Sequence, residues 1–336
     1  MAHRVVLTGA SGYIGTRLVE RAFRRGCEVI VLGSAPRGLR ARALPWRLGE
    51  RLPPMAVTGA TALIHLGHSW KSDDERGVSD DNLNLRGGVA LARESLDAGL
   101  PRFVFASTTA ARVNALNAYG RIKYRIEEQL LALPQAAGRL TCARIALVYG
   151  GADQGLYGLL SKLVSLTPVL PMIGLGRQLQ PIHVDEVCDG LLTLALDPPQ
   201  EGRTFVLAGT PVAFGQWLKT LRRTRLGKGL VLVPLPMTLA LWACDLTRLV
   251  PFGPTLSRER VYGLASAAPM DSTADLDALG LKLRDPVIAL LQTTTARRRL
   301  IAEAATLLTY VAGRSPSLGA KIRLTRGLAR DRAFCG

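Results

Sequence analysis

Short apolar runs alternate with amphipathic stretches along the N-terminal part of the chain. The apolar runs predict buried strands at Arg4–Thr8, Cys27–Leu32, Ala62–Leu66, Phe103–Ala106, Cys142–Val148 and Thr204–Ala208. Apolar positions at helical spacing predict helices at Tyr13–Arg25, Asn84–Ala98 and Tyr119–Ala132. Because strands that alternate with helices form parallel sheets covered on both faces, this pattern predicts an α/β fold with a Rossmann-type, doubly wound parallel sheet.

The alternation loosens after residue 150. Prolines and glycines then crowd one stretch, at Pro168, Pro171, Gly174 and Gly176. A second, smaller region is therefore expected to start near residue 151. The end of the chain differs again, because residues 297–336 hold nine Lys and Arg against two acidic residues. Such a basic tail predicts a solvated terminal helix, with contact to a membrane surface or a protein partner as the alternative.

Charge and cysteine usage narrow the class of protein. The net charge of +17 favours an anionic partner, although a chain rich in Arg carries such a charge without one. No nucleic-acid motif accompanies the charge, so we expect no nucleic acid partner. The five cysteines are scattered and the four histidines lack metal-ligand spacing, which predicts reduced thiols and no metal site. With no signal-peptide pattern before the first strand, we expect a cytoplasmic protein, with a peripheral membrane position left open.

The longest uncharged stretch runs from Gly229 to Cys244. Its 16 residues include two prolines and fall short of the roughly 20 apolar residues of a membrane span. We therefore interpret it as buried or interfacial. Trp242 and its apolar neighbours predict a core helix, with the wall of an apolar substrate pocket as the alternative.

A glycine-rich turn joins the first strand to the first helix. The sequence Thr8-Gly9-Ala10-Ser11-Gly12-Tyr13-Ile14-Gly15 places three glycines at three-residue spacing. Gly9 permits a tight turn, Gly12 lets the backbone approach a diphosphate, and Gly15 lets helix and strand pack closely. Since a helix N-terminus offers free N–H groups and a partial positive charge, the turn predicts a dinucleotide phosphate site.

The end of the second predicted strand bears on which dinucleotide binds. NAD-preferring folds usually place Asp or Glu there, where it holds the ribose 2′-hydroxyl. This chain instead reads Leu32-Gly33-Ser34-Ala35-Pro36-Arg37, with no acid. Because Arg pairs well with a 2′-phosphate, Arg37 favours NADP as the cofactor, with NAD as the alternative.

Tyr119 and Lys123 begin the third predicted helix, four residues apart and therefore on one face. A phenol has an unperturbed pKa of about 10, too high for proton transfer at neutral pH. A nearby ammonium favours the phenolate and lowers that pKa. The two side chains thus make a candidate acid–base pair.

Together these motifs resemble the extended, or atypical extended, short-chain dehydrogenase/reductase superfamily, in its NAD-dependent epimerase/dehydratase-like branch. The resemblance covers roughly residues 3–292 and includes further matches at Ile64–Gly67, Asn84, Arg144, Tyr149-Gly150 and His183–Val187. It implies an NAD(P)-binding Rossmann domain over 1–150 with returning segments near 182–208. It also implies a substrate-binding region over 151–181 and 209–295, followed by the basic tail, 296–336.

The resemblance also assigns site residues. Registering Phe103–Thr108 against the family pattern selects Thr108, with Ser107 second, as the group that orients the reacting oxygen beside Tyr119 and Lys123. The implied cofactor-binding residues are Gly9, Ser11, Gly12, Tyr13, Ile14, Gly15, Arg37, Leu66 and Lys123. Asn84 corresponds to a structural or proton-relay residue.

These residues predict an NAD(P)-dependent oxidoreductase or epimerase that exchanges hydride with a carbinol or ketone. Thr109-Ala110 replaces the Asp-Glu pair of sugar dehydratases, which disfavours a dehydratase. A nucleotide sugar stays open as substrate, although Leu179 stands where related epimerases commonly carry Arg. The alternative is a non-catalytic or assembly protein with NADP(H) as a structural ligand, which the short loop between Thr108 and Tyr119 favours. A homodimer is also left open.

Overall fold

The computed structural model describes residues 3–39, 41–70, 79–174, 176–196, 202–247, 258, 261–262 and 268–290. The predicted basic tail, 296–336, lies outside these residues. The strands are β1 Arg4–Thr8, β2 Glu28–Leu32, β3 Arg42–Leu44, β4 Ala62–His65, β5 Arg102–Thr108, β6 Leu140–Ile145, β7 Val148–Tyr149, β8 Val169–Met172, β9 Gln178–Leu179, β10 Ile182–His183, β11 Thr204–Leu207, β12 Val212–Ala213 and β13 Val231–Pro234. The α-helices are α1 Tyr13–Arg24, α2 Pro54–Val57, α3 Leu83–Asp97, α4 Ala118–Leu131, α5 Gly155–Leu166, α6 Val184–Leu196, α7 Phe214–Leu226, α8 Met237–Thr247 and α9 Thr273–Ala278.

Seven parallel strands form the central sheet in the order β3-β2-β1-β4-β5-β6-β11. The order reverses at β1, which pairs with β2 on one side and β4 on the other. Ligands of open α/β sheets bind where the strand order reverses, beyond the carboxyl ends of the strands. The predicted doubly wound α/β fold is confirmed, and its topology places the glycine turn at this switch point.

Two aliphatic cores cover the two faces of the sheet. On one face α1 and α6 bury side chains such as Leu18 and Leu191 against the strands. On the other face α3 and α4 do the same with side chains such as Leu96 and Ile126. The strands are therefore buried from both sides, which explains why they read as continuous apolar runs in the sequence.

Ion pairs join α1 to α6, because two Arg residues four positions apart on α1 face two Asp residues four positions apart on α6. The Nε of Arg17 lies 2.5 Å from an Asp185 carboxylate oxygen, and the Nε of Arg21 lies 2.9 Å from one of Asp189. Because residues four apart share a helix face, the ion pairs fix the register of the helices. The pairs are partly exposed, so each contributes more to position than to stability.

A smaller lobe follows β7 and has its own core, formed by α5, α7 and the parallel pair of β8 and β13. The Trp217 side chain is fully buried at its centre. Arg222 is also buried, and its guanidinium donates to the carbonyl oxygens of Val164 and Thr167, the latter at 2.6 Å. A buried cation is thereby satisfied by the carbonyl groups at the end of α5, which ties α7 to α5.

The prediction that Trp242 belongs to a core helix is wrong. Met237, Ala240 and Leu241 on one side of α8 pack in a small apolar cluster, whereas Trp242 is 80% exposed. Apolar residues make up most of Met237–Cys244 without a helical period, so the pattern does not indicate which side faces solvent. Among the described residues, no helix combines the length and apolar character that crossing a bilayer requires.

Candidate active site

A cavity of about 210 Å³ lies beyond the carboxyl ends of β1, β2 and β4. Residues from all three strand ends line it, among them Thr8, Gly9, Ser11, Ser34, His65 and Gly67. Trp46 and Leu48 add apolar surface. A mixed polar and apolar lining at a topological switch point suits a nucleotide, whose bases are flat and whose ribose and phosphates are polar.

The glycine turn leaves no room for side chains at two of its positions. Gly9 has φ +69°, and a Cβ there would lie 2.8 Å from the amide nitrogen of Gly67. A Cβ at Gly15 would overlap the Gly9 carbonyl oxygen and lie 2.7 Å from the Ala10 Cα. The backbone of the turn therefore packs directly on α1 and on the loop after β4, as a phosphate cradle requires.

The N-terminus of α1 faces this turn without a side-chain cap. Gly12 is the capping residue, its amide donates to the Gly9 carbonyl at 3.1 Å, and the first turn of the helix holds no acidic residue. A dinucleotide diphosphate fits here, because the helix end supplies donors and partial positive charge. The side chains of Tyr13 and Ile14 pack against the core, and the Tyr13 hydroxyl donates to the Gly150 carbonyl. Their assignment to cofactor binding stays a prediction.

A buried contact between Thr8 and His65 lies next to the glycine turn, at the ends of β1 and β4. The Thr8 hydroxyl lies 2.6 Å from Nδ1 of His65 and accepts a hydrogen bond from the Gly67 amide at 3.1 Å. Burial, and then the charge of Lys123, lowers the pKa of His65 to about 3. The imidazole is therefore neutral, and it holds β1 and β4 in register at the cavity. Sequence reasoning missed this contact, because it did not predict that the strands carrying Thr8 and His65 pair with each other.

The segment after β2 begins at the cavity, which Leu32, Gly33 and Ser34 line. Ser34 lines the cavity and is exposed, whereas the Arg37 side chain is exposed outside the set of lining residues. Arg40, the other basic residue nearby, lies outside the described part of the chain. The preference for NADP therefore stays a prediction. Leu66 is half-buried, and its amide donates to the Thr8 carbonyl at 3.3 Å, which places its backbone beside the turn.

The structure brings Lys123 close to Tyr119. Lys123 is buried, and its Nζ lies 5.9 Å from the centre of the Tyr119 ring and 4.4 Å from that of Phe105. The same Nζ donates to the Ala106 carbonyl at 2.7 Å. Tyr119 is half-buried. The four-residue spacing thus brings the ammonium near the phenol, and the role of the two side chains as an acid–base pair stays a prediction.

The start of α4 is held against the loop after β5. Asn117 caps the helix by accepting from the Gly120 amide at 3.3 Å. A Cβ at Gly120 would lie 2.5 Å from the Ala110 carbonyl oxygen, so only glycine permits this approach. Thr108 ends β5, and its hydroxyl accepts from the Ala110 amide at 3.2 Å. Ser107 is buried at the strand end.

Two aromatic side chains that the sequence did not single out surround Tyr119. Trp70 stacks on the phenol, with ring centres 5.1 Å apart and planes tilted by 25°. His68, which lines the cavity, meets the same ring edge-on at 4.9 Å. Asn84 fixes their loop, since its side chain accepts from the Ser69 amide at 2.7 Å and donates to the Ser69 carbonyl at 3.0 Å. Asn84 therefore positions the loop that covers the tyrosine.

A buried ion pair anchors the opposite end of α4. Arg144 on β6 contacts both carboxylate oxygens of Glu127 from its Nε at 3.0 Å. Glu127 is 3% exposed. Because a buried carboxylate needs such a partner, the pair fixes α4 on the sheet and, with it, the positions of Tyr119 and Lys123.

A family model described as the NAD dependent epimerase/dehydratase family matches residues 5–208, which is more than half of the chain. The chain belongs to this family. The match spans the glycine turn, the strands around the cavity, Thr108, Tyr119 and Lys123. The predicted resemblance to epimerase-like extended dehydrogenases is thereby confirmed.

The curated relatives of this epimerase/dehydratase-family protein fall into two groups. The Dictyostelium discoideum mitochondrial NADH dehydrogenase [ubiquinone] 1 alpha subcomplex subunit 9 is 23% identical over 216 residues, 61% of this chain and 58% of that protein. Vibrio cholerae UDP-glucose 4-epimerase is 22% identical over 238 residues, 62% of this chain and 71% of the epimerase. The first match spans less than two thirds of the Dictyostelium protein's own length.

Solved structures share the fold. UDP-glucose 4-epimerase from Thermotoga maritima, solved with UDP-glucose, superposes with a TM-score of 0.64 at 19% identity, covering 89% of this chain and 99% of that one. The Bordetella bronchiseptica enzyme WbmG, in complex with NAD and UDP, gives 0.63 at 14% identity, covering 89% and 96%. At such low identity the likeness concerns the Rossmann-type architecture.

Proposed function

We propose that this family member is an NAD(P)-dependent oxidoreductase or epimerase that binds its dinucleotide in the cavity beside the glycine turn. The main support for this proposal is that the chain combines a glycine turn suited to phosphate, at Gly9 and Gly15, with Lys123 held beside Tyr119. When bound, the nicotinamide supplies or accepts a hydride. The family match supports the proposal, and NADP is the expected dinucleotide, with NAD as the alternative.

Each residue has a separate task in the proposed reaction. The amides at the start of α1 bind the diphosphate. Thr108 donates a hydrogen bond to the substrate oxygen and orients it. During reduction the Tyr119 hydroxyl gives its proton to that oxygen and becomes a phenolate, and during oxidation the phenolate takes the proton from the substrate hydroxyl. Lys123 favours the phenolate form. Trp70 stacks on one face of the phenol and limits the orientations of the Tyr119 ring.

A nucleotide sugar is the proposed substrate class. Support comes from the epimerases among the relatives, since the Vibrio protein is a UDP-glucose 4-epimerase. The smaller lobe adds cationic side chains that suit a diphosphate. Leu179 is buried where epimerases commonly carry Arg, so Arg177, two residues earlier and exposed, is the proposed diphosphate contact.

The test uses UDP-glucose, UDP-galactose and their N-acetyl analogues, each followed by proton NMR with NAD or NADP present. We expect the epimer or an oxidised sugar to accumulate from at least one of them. Tyr119→Phe should slow that turnover by roughly 10²–10⁴ while dinucleotide affinity stays near wild type. Tyr124→Phe, on the same helix, is the matched control and should keep full turnover. If Tyr119→Phe turns over as fast as wild type, Tyr119 has no part in the chemistry.

A non-catalytic role with a structural dinucleotide is the second candidate. One observation favours it, namely that a subunit of mitochondrial NADH dehydrogenase is among the relatives. It predicts that dinucleotide binds and stabilises the protein while none of the nucleotide sugars is converted. The NMR experiment thus separates the candidates, because thermal stabilisation by the dinucleotide is expected from both.

A further inference from the structure

The smaller lobe is built almost entirely from sequence without acidic residues. Residues 154–181 and 209–244 contain no Asp or Glu and seven Lys or Arg. Arg222 is buried and Arg225 pairs with Asp153, whereas Lys162, Lys219 and Lys228 are exposed. The described surface of this lobe is therefore cationic, which favours an anionic partner.

The outward side of the β8 and β13 pair is apolar. Val231 pairs with Val169 and Val233 with Pro171, and all four residues are exposed. The alternate residues, such as Leu170 and Met172, are buried in the core of the lobe. A solvent-facing strand normally alternates apolar with polar residues, so the apolar outer face is unusual for a surface that meets only water.

Helix α8 continues this surface. The amide of Leu235 donates to the Met172 carbonyl at 2.8 Å, which holds the start of α8 at the end of β8. Leu239 and Trp242 then point outward, 55% and 80% exposed. We call the exposed set the uncharged face; its members are Leu166, Val169, Val231, Val233, Leu239 and Trp242. Most of it comes from the 16-residue stretch Gly229–Cys244, which carries no charge.

We infer that the uncharged face docks on an anionic lipid bilayer. Aliphatic side chains and a tryptophan enter the interface between headgroups and acyl chains, while nearby Lys side chains contact anionic headgroups. Lys162 lies one turn before Leu166 on α5, and Lys228 lies three residues before Val231. The absence of acidic residues from these segments removes the repulsion that anionic lipid would otherwise meet.

This docking surface shares no residue with the lining of the cofactor cavity, and none of its members belongs to the basic tail. It makes no use of Tyr119 or the glycine turn, so it stands whether or not the proposed reaction is right. Because the tail lies outside the described residues, the experiment must distinguish the two cationic parts within the full-length protein.

The test is co-sedimentation of the full-length protein with vesicles of phosphatidylcholine alone or mixed with phosphatidylglycerol. We expect sedimentation with the mixed vesicles only, weakened by added salt because the headgroup attraction is screened. Trp242→Ser and Val233→Asp should each weaken binding by about tenfold or more. Met55→Asp is the matched control, since Met55 is 59% exposed on α2 of the other lobe, and it should bind as wild type does. NADPH affinity and circular dichroism report that each variant is folded.

Trp242→Ser keeps the test decisive if Val233→Asp fails to fold, because its side chain lies on the solvent side of a helix. If the wild-type protein sediments with neither kind of vesicle, the inference is wrong. Binding that survives both substitutions also overturns it, in favour of the tail. If the wild type instead forms dimers that Trp242→Ser dissociates, and no vesicles are bound, the uncharged face is a contact between copies and the lipid assignment is wrong.

Discussion

The substitution Gly15→Ala tests whether the glycine turn is a phosphate cradle. The added Cβ would overlap the Gly9 carbonyl oxygen and lie 2.7 and 2.9 Å from two backbone carbons of Ala10. All three atoms belong to the backbone, so no side chain can swing aside. Since ordinary contact begins near 3.4 Å, the Gly9–Ala10 segment must move by about 1 Å away from α1.

The magnitude follows from two opposed effects on stability and one on binding. Overpacking costs about 1–3 kcal/mol, and Ala gains about 1 kcal/mol over Gly in a helix, so unfolding should become easier by roughly 0–2 kcal/mol. A displaced turn loses at least one charge-assisted hydrogen bond to phosphate, worth about 1.5–3 kcal/mol. The dissociation constant for the dinucleotide should therefore rise about ten- to hundredfold.

The assay combines urea unfolding with titration of nicotinamide fluorescence. Gly88→Ala is the matched control, because Gly88 also lies in a helix and the nearest atom to its added Cβ is 3.6 Å away. That variant should be as stable as wild type or up to about 1 kcal/mol more stable, with unchanged dinucleotide affinity. Wild-type affinity in Gly15→Ala would refute the assignment of the turn to phosphate binding.

Three further predictions concern the supporting structure. Glu127→Gln leaves Arg144 without its charge partner and should lower the free energy of unfolding by roughly 2–4 kcal/mol, whereas the exposed Glu128→Gln should change it by less than about 0.5 kcal/mol in urea titrations. Burial holds the pKa of His65 at about 3 and that of His183 at about 4, so an unfolded chain binds protons below about pH 6.5 that the folded chain does not. The free energy of unfolding should therefore fall as the pH is lowered from about 6.5 to about 4, by up to about 1.4 kcal/mol per pH unit for His65. Equal stability at pH 6.5 and pH 5 would contradict this prediction. Arg37→Ala should weaken NADPH binding about tenfold and spare NADH, and equal losses for both would remove Arg37 from cofactor selection.

Periodicity was enough to predict the sheet from the sequence because its strands are buried on both faces. The predicted strands at Arg4–Thr8 and Thr204–Ala208 match observed strands to within one residue. β3 was missed, since this edge strand has only three residues, Arg42–Leu44, and two of them are exposed. Without an apolar run, nothing local distinguishes such an edge strand from a loop.

The candidate site was predictable where one helix or turn carries its chemistry. Tyr119 and Lys123 share a helix face, so their spacing alone brings them together. Trp70 and His68 reach Tyr119 from a different loop, which Asn84 on α3 holds in place. Such contacts depend on how distant segments pack, and single-sequence patterns do not contain that information.

The uncharged stretch shows a second limit of sequence reasoning. Its lack of charge indicated a buried or interfacial segment, and Trp242 was assigned to the core. In the structure the outward side chains Val231, Val233 and Trp242 are exposed. Hydrophobicity alone does not distinguish a core from a surface that binds a partner, because both are apolar.

The most direct test of the central claim, dinucleotide binding at the glycine turn, is a fluorescence titration of nucleotide-stripped wild-type protein with NADPH and with NADH. We predict saturable binding of at least one of them, with enhanced nicotinamide emission and tighter binding of NADPH. Tighter binding of NADH would support dinucleotide binding at the glycine turn but would show that Arg37 does not select NADP. Stripped, folded protein that binds neither dinucleotide would contradict the account.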